Sequence, residues 1–196
     1  MTSAVRKTAL PAPRRGDADA LRRQFERDAI WHRIVKPGDR LPSEVLLEAD
    51  LGPIHLDRLR MTGPIVLVFV RHASSEPCNV TLARYQRDLA PGLDDLGAHL
   101  VAVSPQVPHR LAEVKRRHDL SYFVAADVRH TLIDAFNLGF AEPGAEAVLG
   151  ARYAVLPFPA VVVADRAGVV HFADVRPDGE PHTKPSRVLA AVRALS

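Results

Sequence analysis

The chain has 196 residues, 47% hydrophobic and 25% charged, the make-up of one globular domain with a sizeable core. Its 26 basic and 23 acidic residues leave a formal charge of +3 with the basic side chains scattered, which speaks against a nucleic-acid surface. No apolar run approaches the ~20 residues that span a membrane, and a single cysteine excludes a disulfide framework within the chain and fits a reducing, cytoplasmic setting.

Residues 1–16 hold Pro, Arg and Ala without periodicity and read as a flexible lead-in. The stretch Val5 to Arg15 is basic but lacks the apolar run of a secretion signal. From Asp17 to Val35, Leu21, Phe25, Ile30, Trp31, Ile34 and Val35 fall near helical spacing and predict an amphipathic N-terminal helix. Lys36-Pro37-Gly38 stops it, so this unit covers 17–37. Residues 39–62, with Pro42 and Pro53, predict short strands and turns.

Ile65-Val66-Leu67-Val68-Phe69-Val70 is a continuous β-branched and aromatic run, the mark of a strand buried on both faces. It leads through Arg71-His72-Ala73-Ser74-Ser75-Glu76-Pro77-Cys78 into a helix marked by Leu82, Tyr85, Leu89 and Leu93, running to about Leu96 and ended by Gly97. His99 to Val103 predicts a second buried strand, Pro108 to His118 a helix, Tyr122 to Val124 a short strand, and Arg129 to Asn137 a short helix. Residues 139–154, with Gly139, Pro143, Gly144 and Gly150, read as an excursion. Ala160 to Ala164 and Val169 to Ala173 flank the turn Asp165-Arg166-Ala167-Gly168, and Lys184 to Leu195 predicts a final helix.

A βαβ start with a hairpin finish predicts an α/β domain over 38–196, its mixed sheet covered on both faces. The strand near Ile65 should be central and parallel to the one near Leu100, and the strands near Val161 and Val170 should pair antiparallel.

Four stretches carry a resemblance: Gly63 to Arg71, Leu96 to Gln106, Ala126-Asp127, and Leu156-Pro157-Phe158-Pro159-Ala160 before Val161 to Asp165. With them the chain resembles the AhpC/TSA, peroxiredoxin-like branch of the thioredoxin superfamily from about Gly38 to its C-terminus. The resemblance implies a thioredoxin-like fold, a central mixed β-sheet flanked by helices on both faces, to which the N-terminal helix is an addition. Such proteins often carry Trp-Cys-x-x-Cys after the first core strand. Here Ser75 replaces the first cysteine and Cys78 keeps the second place. Without a resolving thiol the chain alone is not equipped for dithiol–disulfide exchange.

Ser75-x-x-Cys78 resembles instead the peroxiredoxin pattern, with a Ser or Thr three residues before the peroxide-attacking cysteine. Two groups so spaced in a first helical turn lie on one face, and free N–H groups there favour a thiolate. The resemblance thus implies a one-cysteine thiol peroxidase with Cys78 as nucleophile and Ser75 as hydrogen-bond partner. Arg71 stands where these enzymes have a proline and is the candidate charge partner. Pro159 stands where they have an arginine, at the place of the cis-proline of thioredoxins, so the Phe158–Pro159 bond is expected cis and close to Cys78. The expected partners are a peroxide and an external thiol, either thioredoxin or a low-molecular-weight thiol. The resemblance implies no cofactor or metal, and it leaves room for a homodimer.

Other readings stand beside this one. Cys78 is also readable as a small core hydrophobe, Ser75 as an N-cap, and His72 as a solvated loop histidine. The other eight histidines show no metal-ligand spacing, Arg116-Arg117-His118 reads as a solvated helix face, and Asn79-Val80-Thr81 matches a glycosylation sequon. Two further activities remain open: a redox-inactive protein binding a partner or small ligand at the same cleft, and mixed-disulfide exchange with glutathione or mycothiol.

Overall fold

The two longest apolar runs set the frame. In the computed structural model, which describes residues 26–27, 29–142, 144–150, 155–176 and 183–195, Ile65–Phe69 (β3) and His99–Ser104 (β4) lie side by side. They pair in parallel, from Ile65 opposite His99 to Phe69 opposite Val103. Every residue of β3 is buried because both sheet faces are covered. Side chains alternate along a strand. Ile65, Leu67 and Phe69 therefore enter one core with Leu132, Phe136, Phe140 and Phe158. Val66, Val68 and Val70 enter a second with Cys78, Leu82, Tyr85 and Val188.

Beyond β3 lie Ala160–Ala164 (β8) and Val170–Val175 (β9), both antiparallel to their neighbours. Beyond β4 lie Phe123–Ala126 (β5), in parallel, then Val45–Glu48 (β1) and Gly52–His55 (β2), antiparallel. The sheet order is β2-β1-β5-β4-β3-β8-β9, and Gly139–Ala141 (β6) pairs separately with Val155–Pro157 (β7). The central parallel pair and the closing hairpin are as the sequence predicts.

The helices are Ile30–Arg33 (α1), Leu56–Thr62 (α2), Glu76–Asp88 (α3), Ala90–Asp95 (α4), Pro108–Arg117 (α5), Thr131–Ala135 (α6), Ala145–Leu149 (α7) and Pro185–Arg193 (α8). Residues 1–25 of the predicted lead-in and N-terminal helix, with Asp28, lie outside the described residues. Of that helix's expected apolar face, Ile30, Ile34 and Val35 are buried, while Trp31 is 43% exposed. The helix predicted from Cys78 to Leu96 is two helices. Pro91 has no N–H to give, and its ring would clash with the carbonyl four residues back, so the chain breaks at Leu89. The stretch 39–62 contains α2 besides short strands, and the excursion contains β6 and α7.

Candidate active site

The site forms where the chain leaves the carboxyl end of β3. Val70 N–H still bonds to Val103 O across β4, at 2.9 Å. The next five residues then form a loop clamped from both sides. From β4, Ser104 Oγ donates to Arg71 O at 3.1 Å. Two residues on, the fully buried Gln106 accepts the Ala73 N–H on Oε1 at 2.7 Å and donates Nε2 to Val148 O at 2.7 Å. From α3, Asn79 Nδ2 donates to Ala73 O at 2.6 Å and to Ser75 O at 2.9 Å. Its Oδ1 meets His118 Nε2 at 2.7 Å. With Nδ2 facing two carbonyls, Oδ1 is the acceptor and His118 Nε2 carries the hydrogen. The loop also closes on itself, Ser75 N–H bonding to His72 O at 3.1 Å.

Ser75 is the N-cap of α3, and Cys78 is the third residue of the helix. Pro77 occupies the second position without an N–H. The N–H groups of Glu76 and Cys78 thus open the helix, and Asn79 N–H makes the first helical bond, to Ser75 O at 3.0 Å. Cys78 is 3% exposed and packs into the second core. Ser75 sits where it was expected, yet its hydroxyl makes no capping bond. No hydrogen bond joins Ser75 to Cys78 among the described residues.

Arg71 and Cys78 serve different faces. Continuing the alternation of β3 past Phe69, Arg71 sets its guanidinium carbon 5.2 Å from the centroid of Phe140, in the first core. Its Nε is buried without a hydrogen-bond partner. Phe140 stacks in turn on Phe158, with 5.0 Å between centroids. His72 corrects the expectation of a solvated histidine. It is half-buried, with Nδ1 unpartnered, and burial together with the Arg71 charge holds its pKa below the ordinary imidazole value.

Pro159 precedes Ala160, which pairs with Phe69, so it lies at the end of the sheet from which the loop departs. The expectation of a cis Phe158–Pro159 bond is corrected: no peptide bond among the described residues is cis. Phe158 N–H bonds to Leu138 O at 2.8 Å, and Pro159 O accepts Arg176 N–H at 2.8 Å. This pairing on both sides keeps the segment extended, which suits the ordinary trans form.

Ser104, Gln106, Asn79 and His118 escape sequence reasoning as site residues. Asn79 is visible only as a sequon, whereas in the fold its amide hydrogens face two loop carbonyls. A polar pair directly after an apolar strand, Ser104 and Gln106, was the available signal for the β4 clamp. Among the described residues no group of three or more His, Cys, Asp or Glu is placed to hold a metal ion. No helix there is long and apolar enough to cross a membrane.

The AhpC/TSA family model matches residues 37–173. The fold is similar to the peroxidoxin BcpB from Mycobacterium tuberculosis, at 21% identity over 83% of this chain and 99% of that one, with a TM-score of 0.69. It is similar to a peroxiredoxin-like protein from Aquifex aeolicus, at 20% identity over 83% and 89%, with a TM-score of 0.67. A yeast mitochondrial 1-Cys peroxiredoxin is similar at 14% identity over 83% and 76%, with a TM-score of 0.65. No curated protein sequence matches the chain.

Proposed function

The chain belongs to the AhpC/TSA family, and from this premise we propose that it is a thiol-dependent peroxidase using Cys78 alone as nucleophile. One observation carries the proposal: the only cysteine stands in the first turn of the helix that follows the central strand. The Cys78 thiolate attacks one oxygen of a hydroperoxide. The O–O bond breaks, an S–O bond forms, and the leaving alkoxide or hydroxide takes a proton. Cysteine is thereby oxidised by two electrons to sulfenic acid. An external thiol then displaces water to give a mixed disulfide, and a second thiol releases Cys78 and leaves as a disulfide. The similar yeast protein is described as resolving its thiol via glutathione/thioredoxin systems, which supports an external reductant of either kind.

In this scheme the Ser75 hydroxyl, not spent on capping, donates to the thiolate or the peroxide. Arg71 adds positive charge at the loop's start, acting from the far face of the sheet. The sulfur must become accessible before peroxide arrives, since Cys78 is 3% exposed. That same burial favours a second reading: a redox-inactive protein that binds a partner or small ligand at this cleft.

Peroxide consumption by the full chain separates the two, with hydrogen peroxide or an organic hydroperoxide and either thioredoxin or a small thiol as donor. The proposal expects wild-type turnover with each effective donor and only background for Cys78→Ser. Equal rates for the two proteins across all donors would establish the redox-inactive reading instead.

A further inference from the structure

The loop that leads into the Cys78 helix has its shape fixed by side chains as well as by its own backbone. Asn79, the residue next to the thiol, turns its amide back across the loop and gives hydrogens to Ala73 O and Ser75 O, at 2.6 and 2.9 Å. Helical geometry does not require these bonds, because the backbone bond from Asn79 N–H to Ser75 O already opens α3. The two carbonyls can only accept, so they set which way the amide lies and leave its oxygen for a donor. His118 supplies that donor. It caps the end of α5, is anchored by its own N–H on Val114 O at 3.1 Å, and places Nε2 2.7 Å from Asn79 Oδ1.

We infer that Asn79 is a positioning residue for the Cys78 thiol and that His118 holds its amide in place from the oxygen end. The pair holds the Ala73 and Ser75 carbonyls in place, and with them the loop that leads into the Cys78 helix. It also links the thiol to the end of α5, the helix whose Arg110 shares Val148 O with Gln106. This rests on the one-cysteine peroxidase proposal only for its consequence on turnover; the effect on thiol access stands without it.

The test is the rate at which iodoacetamide alkylates Cys78 in the full chain, followed against pH, beside peroxide turnover and the urea midpoint. Asn79→Asp keeps the side-chain shape but cannot donate, and it sets a carboxylate against two carbonyls. It should alkylate about tenfold faster in native buffer, with a displaced pH profile, while turnover falls. His118→Leu should speed alkylation and slow turnover by about threefold each, with the pH profile displaced the same way. His118→Gln, which keeps a donor at similar reach, should restore wild-type values. Should Asn79→Asp fail to fold, the two His118 variants carry the test.

Wild-type alkylation rates in both Asn79→Asp and His118→Leu would overturn the inference. So would His118→Gln behaving like His118→Leu, or an acceleration that tracks only the globally unfolded fraction in urea. A wild-type protein that alkylates as expected but consumes no peroxide would remove the peroxidase proposal and leave the positioning role standing.

Discussion

Replacing Gln106 by Leu asks how firmly β4 holds the thiol loop. The side chain is 0% exposed, and Leu is close to it in volume, so no large cavity opens. Two bonds disappear, from Ala73 N–H and to Val148 O. They are not equivalent. Val148 O keeps a donor, Arg110 Nη1 at 3.1 Å, whereas Ala73 N–H loses its acceptor. An unsatisfied buried donor costs about 1–3 kcal/mol, and the bond lost to a still-satisfied carbonyl is worth about 0.5–1 kcal/mol. Burying an apolar side chain in place of an amide returns part of this. The expected net loss is about 2 kcal/mol, or roughly 4–8 °C in Tm for a chain of this size. Urea unfolding measures the loss, and hydrogen exchange at Ala73 locates it. Adding Arg110→Leu should cost about 1 kcal/mol beyond the sum of the single changes, since Val148 O then loses both donors. A Gln106→Leu protein within about 0.5 kcal/mol of wild type, with Ala73 exchange unchanged, would refute the clamp.

Two further predictions concern the scaffold. The buried Glu48 carboxylate accepts from Lys115 Nζ at 2.7 Å and from the N–H groups of Val124, Asp50 and Leu51. Burial pushes this carboxyl up, but Lys115 and the three N–H groups together hold it below its ordinary value of 4.5. A depressed folded pKa adds stability that is complete above the unfolded value. That stability is lost as pH falls through it toward the folded one. The urea midpoint should therefore drop below about pH 4.5, and Glu48→Gln, less stable at neutral pH, should show a flatter acid profile; parallel profiles would contradict this. Gly63→Ala should cost about 2–3 kcal/mol or more in urea unfolding, because the added Cβ would meet Gly97 O at 1.9 Å. Unchanged stability would show that the backbones are not so closely packed.

The central sheet is legible because burial on both faces demands uninterrupted apolar runs, and β3, β4 and β8 have them. The β1–β2 hairpin is less so. Its four-residue strands are joined by a turn whose N–H groups bond to Glu48, a carboxylate made affordable by Lys115, 67 positions away. The helical periodicity from Leu82 to Leu93 carries across Pro91, and there the missing N–H wins over the pattern. At the site, Ser75 and Cys78 are near neighbours in one helical turn, so their spacing is readable. Gln106 and His118 lie 33 and 39 positions from their partners and meet them only after β3 and β4 pair. The Phe158–Pro159 bond keeps the trans form that an X–Pro bond ordinarily takes, and the expectation of a cis bond rested on the resemblance alone. The side on which Arg71 falls follows from β3 alternation, but its seat on Phe140 depends on where β6 packs.

The most direct measurement is the intact mass of the full chain after one equivalent of hydroperoxide, before and after a thiol is added. A working Cys78 gains one oxygen atom, and the chain returns to its starting mass with the thiol, while Cys78→Ser gains nothing. A wild-type chain whose mass never changes, at a peroxide dose and time that oxidise a free cysteine in the same solution, would contradict the account.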